Sequence, residues 1–193
     1  MIYPQNFEQK IGFDQIRNLL KNKCLSPLGQ EQVDCMSFSD DFDSINLALE
    51  QATEFMRIIQ ENDDFPSQYF FDVRPSLKRI RVEGLYMDES ELFDLRRSLE
   101  TIRDIIRYLQ QSGAEDSENE AFSSPYPALY ELTKDILTFP LLISQINNIL
   151  DKFGKIKDNA SAELLRIRRE LASTTGSISR CLNSILRTAQ SEG

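Results

Sequence analysis

The last segment of the chain constrains the fold most strongly, because a helical pattern begins near Asn159 and only Gly176 interrupts it afterwards. Apolar side chains at heptad spacing predict one continuous pairing seam along this segment. The seam comprises Leu164, Ile167, Leu171, Thr174, Ile178, Cys181, Ile185 and Thr188. A helix over about 160–190 would be roughly 45 Å long, which is more than a small globular core requires. The sequence therefore predicts an arm-like helix over 158–193, with Asn159 or Ser161 as its N-cap.

The residues before this arm have the periodicity of shorter helices, so the predicted fold class is all-α, with a helical bundle as the core. Glycine and proline are sparse, seven of each, and they fall between the periodic segments. Helices are predicted over about 7–22, 27–36, 41–60, 88–109, 128–137 and 141–150, with a short helix from Pro75. Their start signals are Ser26-Pro27, Asp40 or Asp41, and a capping box formed by Asp88 and Glu91.

Three stretches lack a helical period and mark breaks between helices. Residues 65–73, FPSQYFFDV, carry an aromatic cluster and predict an ordered loop. Residues 112–125 are acidic and polar, which favours a flexible loop. Residues 151–158, DKFGKIKD, place Gly154 where a tight turn would form, and a small β-hairpin is predicted there. The predicted organisation is a core domain over 1–157 followed by the arm.

The residue inventory excludes several classes of enzyme. The chain has no histidine, which removes histidine-based acid/base catalysis and nearly every transition-metal site. Its three cysteines, Cys24, Cys35 and Cys181, lack metal-ligand spacing and favour reduced thiols packed in a core. A glycine-rich phosphate loop and a nucleophile elbow are also missing from the sequence. We therefore expect no catalytic residue, metal or cofactor within these 193 residues.

The N-terminal sequence MIYPQNFEQKIGFDQI does not resemble a targeting segment. It lacks the basic start and the apolar run of a signal peptide. No apolar run in the chain approaches the ~18 residues that a membrane span needs. The expectation is a cytoplasmic protein without membrane contact.

The distribution of charge identifies one candidate surface for nucleic acid. The net charge is −9, so bulk electrostatic attraction cannot bind DNA or RNA. Five arginines nevertheless cluster on the predicted arm, opposed over 160–190 only by Glu163 and Glu170. These candidates are Arg166, Arg168, Arg169, Arg180 and Arg187, and a second basic group comprises Arg74, Lys78, Arg79 and Arg81. The alternative interpretation is a solvated helix face with ion pairs such as Arg166–Glu170 at i,i+4 spacing.

Three sequence stretches together resemble one protein family. They are SPLGQEQV (26–33), DVRPSLKRIRVEGLY (72–86) and DNASAELLRIRREL (158–171). Their order and spacing are similar to the N-terminal region of the MutS-like proteins of the second bacterial branch. These proteins are the MutS paralogues that lack the mismatch-reading domain. One departure is Glu83-Gly84, where the family often has two glycines.

The resemblance implies a non-catalytic module of a larger DNA-binding ATPase. Residues 1–157 would be the core domain, and 158–193 the ascending half of a lever helix. The clamp, the ATPase domain with its ATP and Mg, and a nuclease domain would lie beyond Gly193, and the longer protein would be a homodimer. Branched DNA in the suppression of recombination, or rRNA in collided ribosomes, would be its target. The alternative is a free-standing protein-interaction module that uses the 164–188 seam.

Overall fold

The computed structural model describes residues 6–61, 64–110 and 124–192, and within these ranges every regular element is a helix. The predicted all-α class is confirmed. The helices are α1 (Phe7–Lys10), α2 (Phe13–Lys21), α3 (Pro27–Cys35), α4 (Phe42–Glu61), α5 (Arg74–Arg79), α6 (Glu89–Gln110), α7 (Pro127–Thr133), α8 (Pro140–Ile149) and α9 (Ala162–Glu192). Nearly all of the predicted flexible loop, residues 112–123, lies outside the described residues.

The first predicted helix is in fact two helices. Gly12 has a φ of 76°, in the left-handed region that favours glycine, and it separates α1 from α2. The periodicity that suggested one helix is real, but this backbone conformation redirects the chain after one turn. The next start signal is confirmed, because Ser26 Oγ accepts a hydrogen bond of 3.3 Å from Gly29 N and Pro27 opens α3.

By its internal contacts the chain divides into two compact units, residues 1–87 with 94–139 and residues 88–93 with 140–193. The predicted boundary between a core domain and an arm at 157/158 concerns the organisation of a longer protein and stays a prediction. In the first unit, Ile58 of α4, Leu109 of α6 and Tyr126 before α7 form a buried cluster. These side chains come from distant parts of the sequence, so their burial holds the first unit together.

Polar contacts between α4 and the start of α7 reinforce that cluster. The Glu54 carboxylate accepts hydrogen bonds of 3.1 Å from Ala128 N and 2.9 Å from Leu129 N. Both amides belong to the first turn of α7, which has no side-chain cap of its own. Arg57 adds a cation–π contact, with its guanidinium 4.8 Å from the Tyr126 ring centre. α4 therefore fixes where α7 begins.

The aromatic stretch before α5 is an ordered loop, as predicted. Thr101 Oγ1 donates a hydrogen bond of 2.7 Å to Gln68 O. The Arg97 guanidinium lies 4.7 Å from the Tyr69 ring centre and 4.3 Å from that of Phe71. Tyr69 has a φ of 66°, a left-handed conformation that a non-glycine residue rarely adopts. The contacts from α6 hold it there.

Burial along α6 does not follow its apolar residues alone. Arg96 is buried, whereas Ile102 is 40% exposed. Neighbouring elements therefore cover part of the polar face of α6 and leave part of its apolar face open. The cysteines are free, but Cys35 and Cys181 are exposed instead of packed in a core. Cys35 is the last residue of α3, and Cys181 lies on α9, at a position that no element among the described residues covers.

Candidate helix-pairing and nucleic-acid surfaces

The second unit has a small core formed by α8 and the residue that follows it. Ile143 and Ile146 of α8 and Leu150 after it are buried. Leu150 forms an antiparallel bridge with Ile156, and Lys157 N donates a hydrogen bond of 2.8 Å to Ile149 O. The β-hairpin predicted over 151–158 is therefore present only as a turn closed by this one bridge.

Glycine at position 154 is required by the geometry of this turn. Gly154 has a φ of 80°, and a Cβ placed on it would lie 2.7 Å from Cγ of the Phe93 ring. The Asp151 carboxylate accepts hydrogen bonds of 2.8 Å from Phe153 N and 2.9 Å from Lys155 N, which orders the turn from inside. The turn is thus both tight and pressed against the first turns of α6.

The conspicuous stretch DNASAELLRIRREL attaches α9 to this turn. Ser161 Oγ accepts a hydrogen bond of 3.1 Å from Leu164 N and caps the helix, as predicted. Two turns later, Arg168 forms an ion pair with Asp158 and donates a hydrogen bond of 3.4 Å from Nη1 to Ile156 O. The spacing from Asp158 to Arg168 therefore fastens the first turns of α9 to the segment that precedes them.

Beyond its base, α9 has no cover within the described part of the chain. Leu164 is half-buried, but Leu171 is 61% exposed and Ile185 is 60% exposed. Ile167, Ile178 and Cys181 of the predicted seam are exposed as well. Leu182 and Leu186 widen the apolar surface, and sequence reasoning overlooked them although Leu182 lies four residues after Ile178. The seam is continuous and accessible, and its use for helix pairing stays a prediction.

The candidate arginines of α9 fall into two groups. Arg166 pairs with Glu163 at 2.6 Å and with Glu170 at 2.6 Å, which is the solvated-face arrangement. The hydrogen bond from Arg166 lowers the pKa of Glu163, and the two carboxylates raise the pKa of Arg166. Arg168 is engaged at the helix base. The exposed remainder is Arg169, Arg180 and Arg187, for which the described residues supply no acidic partner.

The second basic group is only partly available for a ligand. Arg74 is held by Glu31 at 2.6 Å and by Asp72 at 2.8 Å, and its side-chain hydrogen bonds lower the pKa values of both carboxyls. Arg79 donates a hydrogen bond of 3.1 Å to Tyr86 O and so braces the turn after α5. This group therefore has structural roles that its sequence did not reveal.

The fold thus defines a helical module that carries a long amphipathic helix fastened at its base. The chain is 28% identical over 182 residues to a protein of Alkaliphilus oremlandii named endonuclease MutS2, covering 94% of this chain and 22% of that protein. A protein of the same name from Clostridioides difficile is 28% identical over 176 residues, covering 91% and 21%. One from Geobacillus sp. is 24% identical over 182 residues, covering 94% and 22%.

These similarities confirm the resemblance to a MutS paralogue. No protein-family model matches the chain. The chain spans about a fifth of the length of the curated relatives it matches. Within the described residues, no helix combines the length and the apolar character needed to cross a lipid bilayer.

Proposed function

We propose that this chain is a non-catalytic helical module of a MutS2-like protein, in which α9 serves as the ascending half of a lever. One observation carries the proposal: nine tenths of the chain align with proteins named endonuclease MutS2, yet cover about a fifth of their length. In such a protein, catalysis would belong to other parts of the polypeptide, with ATP and Mg as the cofactors of an ATPase domain. The natural target would be branched DNA or a ribosome, and the assembly a homodimer.

The local structure supports the role of a lever. A lever needs a stiff arm, and α9 runs over 31 residues. It also needs a fixed base, which the Ser161 cap and the contacts of Arg168 provide. Finally, it needs a second helix to pair with. The exposed seam supplies the surface for such pairing, and the family resemblance implies a descending lever helix as the partner.

A chimera tests this proposal directly. We would replace the matching fifth of the Alkaliphilus relative with residues 1–190 of this chain and measure the nuclease activity of the chimera. The matching segment of the Clostridioides relative, grafted in the same way, is the positive control. The expected result is that both chimeras retain activity. The substitution Ser177→Pro should abolish it, because proline in a helix interior costs about 3 kcal/mol and bends the arm.

The matched control is Ser177→Ala, which leaves the helix intact and should leave the activity of the chimera intact. The lever role is contradicted if the chimera with Ser177→Pro folds and is as active as the control. It is equally contradicted if the grafted chain folds but is inactive where the Clostridioides segment is active.

A second candidate function is a free-standing interaction module that binds a partner helix through the 164–188 seam. The exposure of Leu171, Ile178 and Ile185 favours it, because contiguous apolar surface on a soluble chain marks an interaction site. Sedimentation velocity over a range of concentrations tests this second candidate for the case in which the partner is another copy of the chain. Self-association of the 193-residue chain that Leu171→Asp abolishes would support the interaction module, whereas a monomer at all concentrations would argue against pairing between copies.

A further inference from the structure

The three arginines of α9 that have no acidic partner among the described residues lie on one line along the helix. At roughly 100° per residue, Arg180 is displaced by roughly 20° around the axis from Arg169, and Arg187 returns to the same angle. The three side chains therefore form a stripe about 27 Å long, from Arg169 to Arg187. All three are exposed, and Arg180 uses only its Nε, which donates a hydrogen bond of 3.2 Å to Gly176 O.

The stripe is free of carboxylates over most of its length. α9 contains no aspartate or glutamate from Leu171 to Gln190. Glu163 and Glu170 lie roughly 100–120° away from the stripe around the helix, where both are paired with Arg166. The positive charge of the stripe is therefore not neutralised within the described part of the chain.

The stripe also lies opposite the apolar seam. Leu171, Ile178 and Ile185 lie at roughly 160–200° from Arg169, on the far side of the helix. A partner helix on the seam would leave the arginines accessible. The residues that flank the arginines on their own face are small or polar, namely Ser173, Gly176, Asn183 and Ser184. Such a face allows close approach of a ligand and offers hydrogen-bonding groups to it.

We propose that Arg169, Arg180 and Arg187 form a contact stripe for the phosphate backbone of a nucleic acid. Guanidinium groups bind phosphate oxygens with bidentate, charge-assisted hydrogen bonds. A linear array of them fits a ligand with regularly spaced charges, and one strand of a duplex presents such a line of phosphates. The contact is to the backbone and reads no base sequence. It goes beyond the proposed function, because a lever requires only the seam and the base of α9.

The net charge of −9 sets the conditions under which this contact is measurable. Three arginines must overcome the repulsion of an acidic protein, so binding is weak and strongly dependent on salt. Each phosphate that the stripe neutralises contributes about 0.9 to the slope of log K against log salt for duplex DNA. Three contacts therefore give a slope near −2.7, which distinguishes the stripe from a single adventitious contact.

The test measures binding of the 193-residue chain to duplex DNA and to duplex RNA of about 20 base pairs, by fluorescence anisotropy from about 30 to 150 mM salt. The variant Arg169→Gln/Arg180→Gln/Arg187→Gln removes the stripe. The matched control, Lys23→Gln/Arg107→Gln/Lys152→Gln, removes the same charge from exposed positions elsewhere. Circular dichroism confirms that both variants keep the helical content of the original chain.

The expected result is that the stripe variant binds on the order of tenfold more weakly at the lowest salt and loses about three units of salt slope. The control variant should match the original chain closely in both its affinity and its salt slope. The DNA and RNA arms show which nucleic acid supplies the phosphates, since equal binding indicates readout of the backbone alone. Equal weakening by both variants, or no binding to either duplex, would each overturn the proposal.

This experiment and the chimera report on different surfaces. A chimera that stays active when the three arginines are replaced would support the lever role and count against the phosphate contact. Arginine-dependent binding by a chain that is inactive in the chimera would support the phosphate contact and count against the lever role. The failure of one proposal is therefore distinguishable from the failure of the other.

Discussion

α6 and α9 are both long amphipathic helices, but α6 is packed against other elements and α9 is exposed along most of its length. α6 runs over 22 residues and buries Leu95, Ile106 and Leu109, together with three polar residues. α9 runs over 31 residues, and none of its side chains through Gln190 is buried. The period of apolar residues is similar in the two sequences. It identifies the face that is available for packing, but whether that face is covered depends on which other elements reach it.

The two helices also differ in what stabilises them. Packing of an apolar face supplies most of the stability of a helix in a protein. α6 has that support along most of its length, whereas α9 depends on its base and on ion pairs within its own turns. We therefore expect substitutions of the same kind to have unequal effects on the two helices.

The largest expected difference is between two leucine-to-alanine substitutions. Leu109 is 3% exposed, so Leu109→Ala should lower the free energy of unfolding by about 2–5 kcal/mol, because it leaves a cavity in the cluster around Ile58. Leu171→Ala removes the same atoms from a side chain that is 61% exposed and should change stability by about 0.5 kcal/mol or less. Urea denaturation measures both, and similar effects would show that α9 is covered in solution.

The base of α9 is tested by a glycine pair. Gly154→Ala should cost about 2–3 kcal/mol, because the left-handed backbone disfavours a side chain and the new Cβ would overlap the Phe93 ring. Gly84 has a similar φ of 84° but open space around it, so Gly84→Ala should cost only about 1–2 kcal/mol. Thermal unfolding followed by circular dichroism reports the difference. Equal losses would mean that Phe93 moves aside without cost.

Two neighbouring arginines separate attachment of α9 from its internal ion pairs. Arg168→Gln removes the contacts to Asp158 and Ile156 O and should cost at most about 1 kcal/mol, since the pair is partly exposed. Arg166→Gln breaks pairs that lie within α9 and should leave the attachment unchanged. Amide hydrogen exchange over 162–168 should accelerate in the first variant more than in the second. The reverse order would refute the attachment.

The smallest effect concerns pH and the Arg74 network. The folded pKa values of Glu31 and Asp72 lie below their ordinary values of 4.5 and 3.8 because of hydrogen bonds from Arg74. Their contribution to stability is therefore present above those ordinary values and is lost as the pH falls through the folded values. Arg74→Gln should flatten the dependence of the urea midpoint on pH between about 2 and 5. An unchanged profile would show that the network does not stabilise the fold.

Local signals in the sequence were sufficient to place most helix starts. Asp88 and Glu91 form the predicted capping box. Glu91 Oε2 accepts a hydrogen bond of 3.0 Å from Asp88 N, and Asp88 Oδ1 accepts one of 2.9 Å from Glu91 N. Asp41, one of two candidates, accepts a hydrogen bond of 3.3 Å from Ser44 N. Such caps involve residues three apart, so the sequence contains all of the information that defines them.

Contacts between distant residues could not be predicted in the same way. Glu54 caps α7 from 74 residues away, and no spacing in the sequence announces that pair. The role of Arg168 was also missed, because an arginine on a predicted helix face looks the same whether it pairs within the helix or with a preceding turn. The close contact between the Phe93 ring and Gly154 likewise depends on the tertiary fold.

The candidate surfaces were predictable to a similar extent. The seam was visible in the heptad spacing, and the five arginines were visible as a local excess of positive charge. Which arginines remain unpaired depends on side-chain geometry, which removed Arg166 and Arg168 from the group.

Native-state amide hydrogen exchange of the 193-residue chain at low concentration, comparing α6 with α9, tests directly whether the seam of α9 is uncovered. We predict that amides over 95–109 exchange only through global unfolding, whereas those over 171–190 exchange orders of magnitude faster because their helix lacks packing. Equal protection along α9 and α6 would contradict this prediction, because it would show that the seam is already covered in the isolated chain.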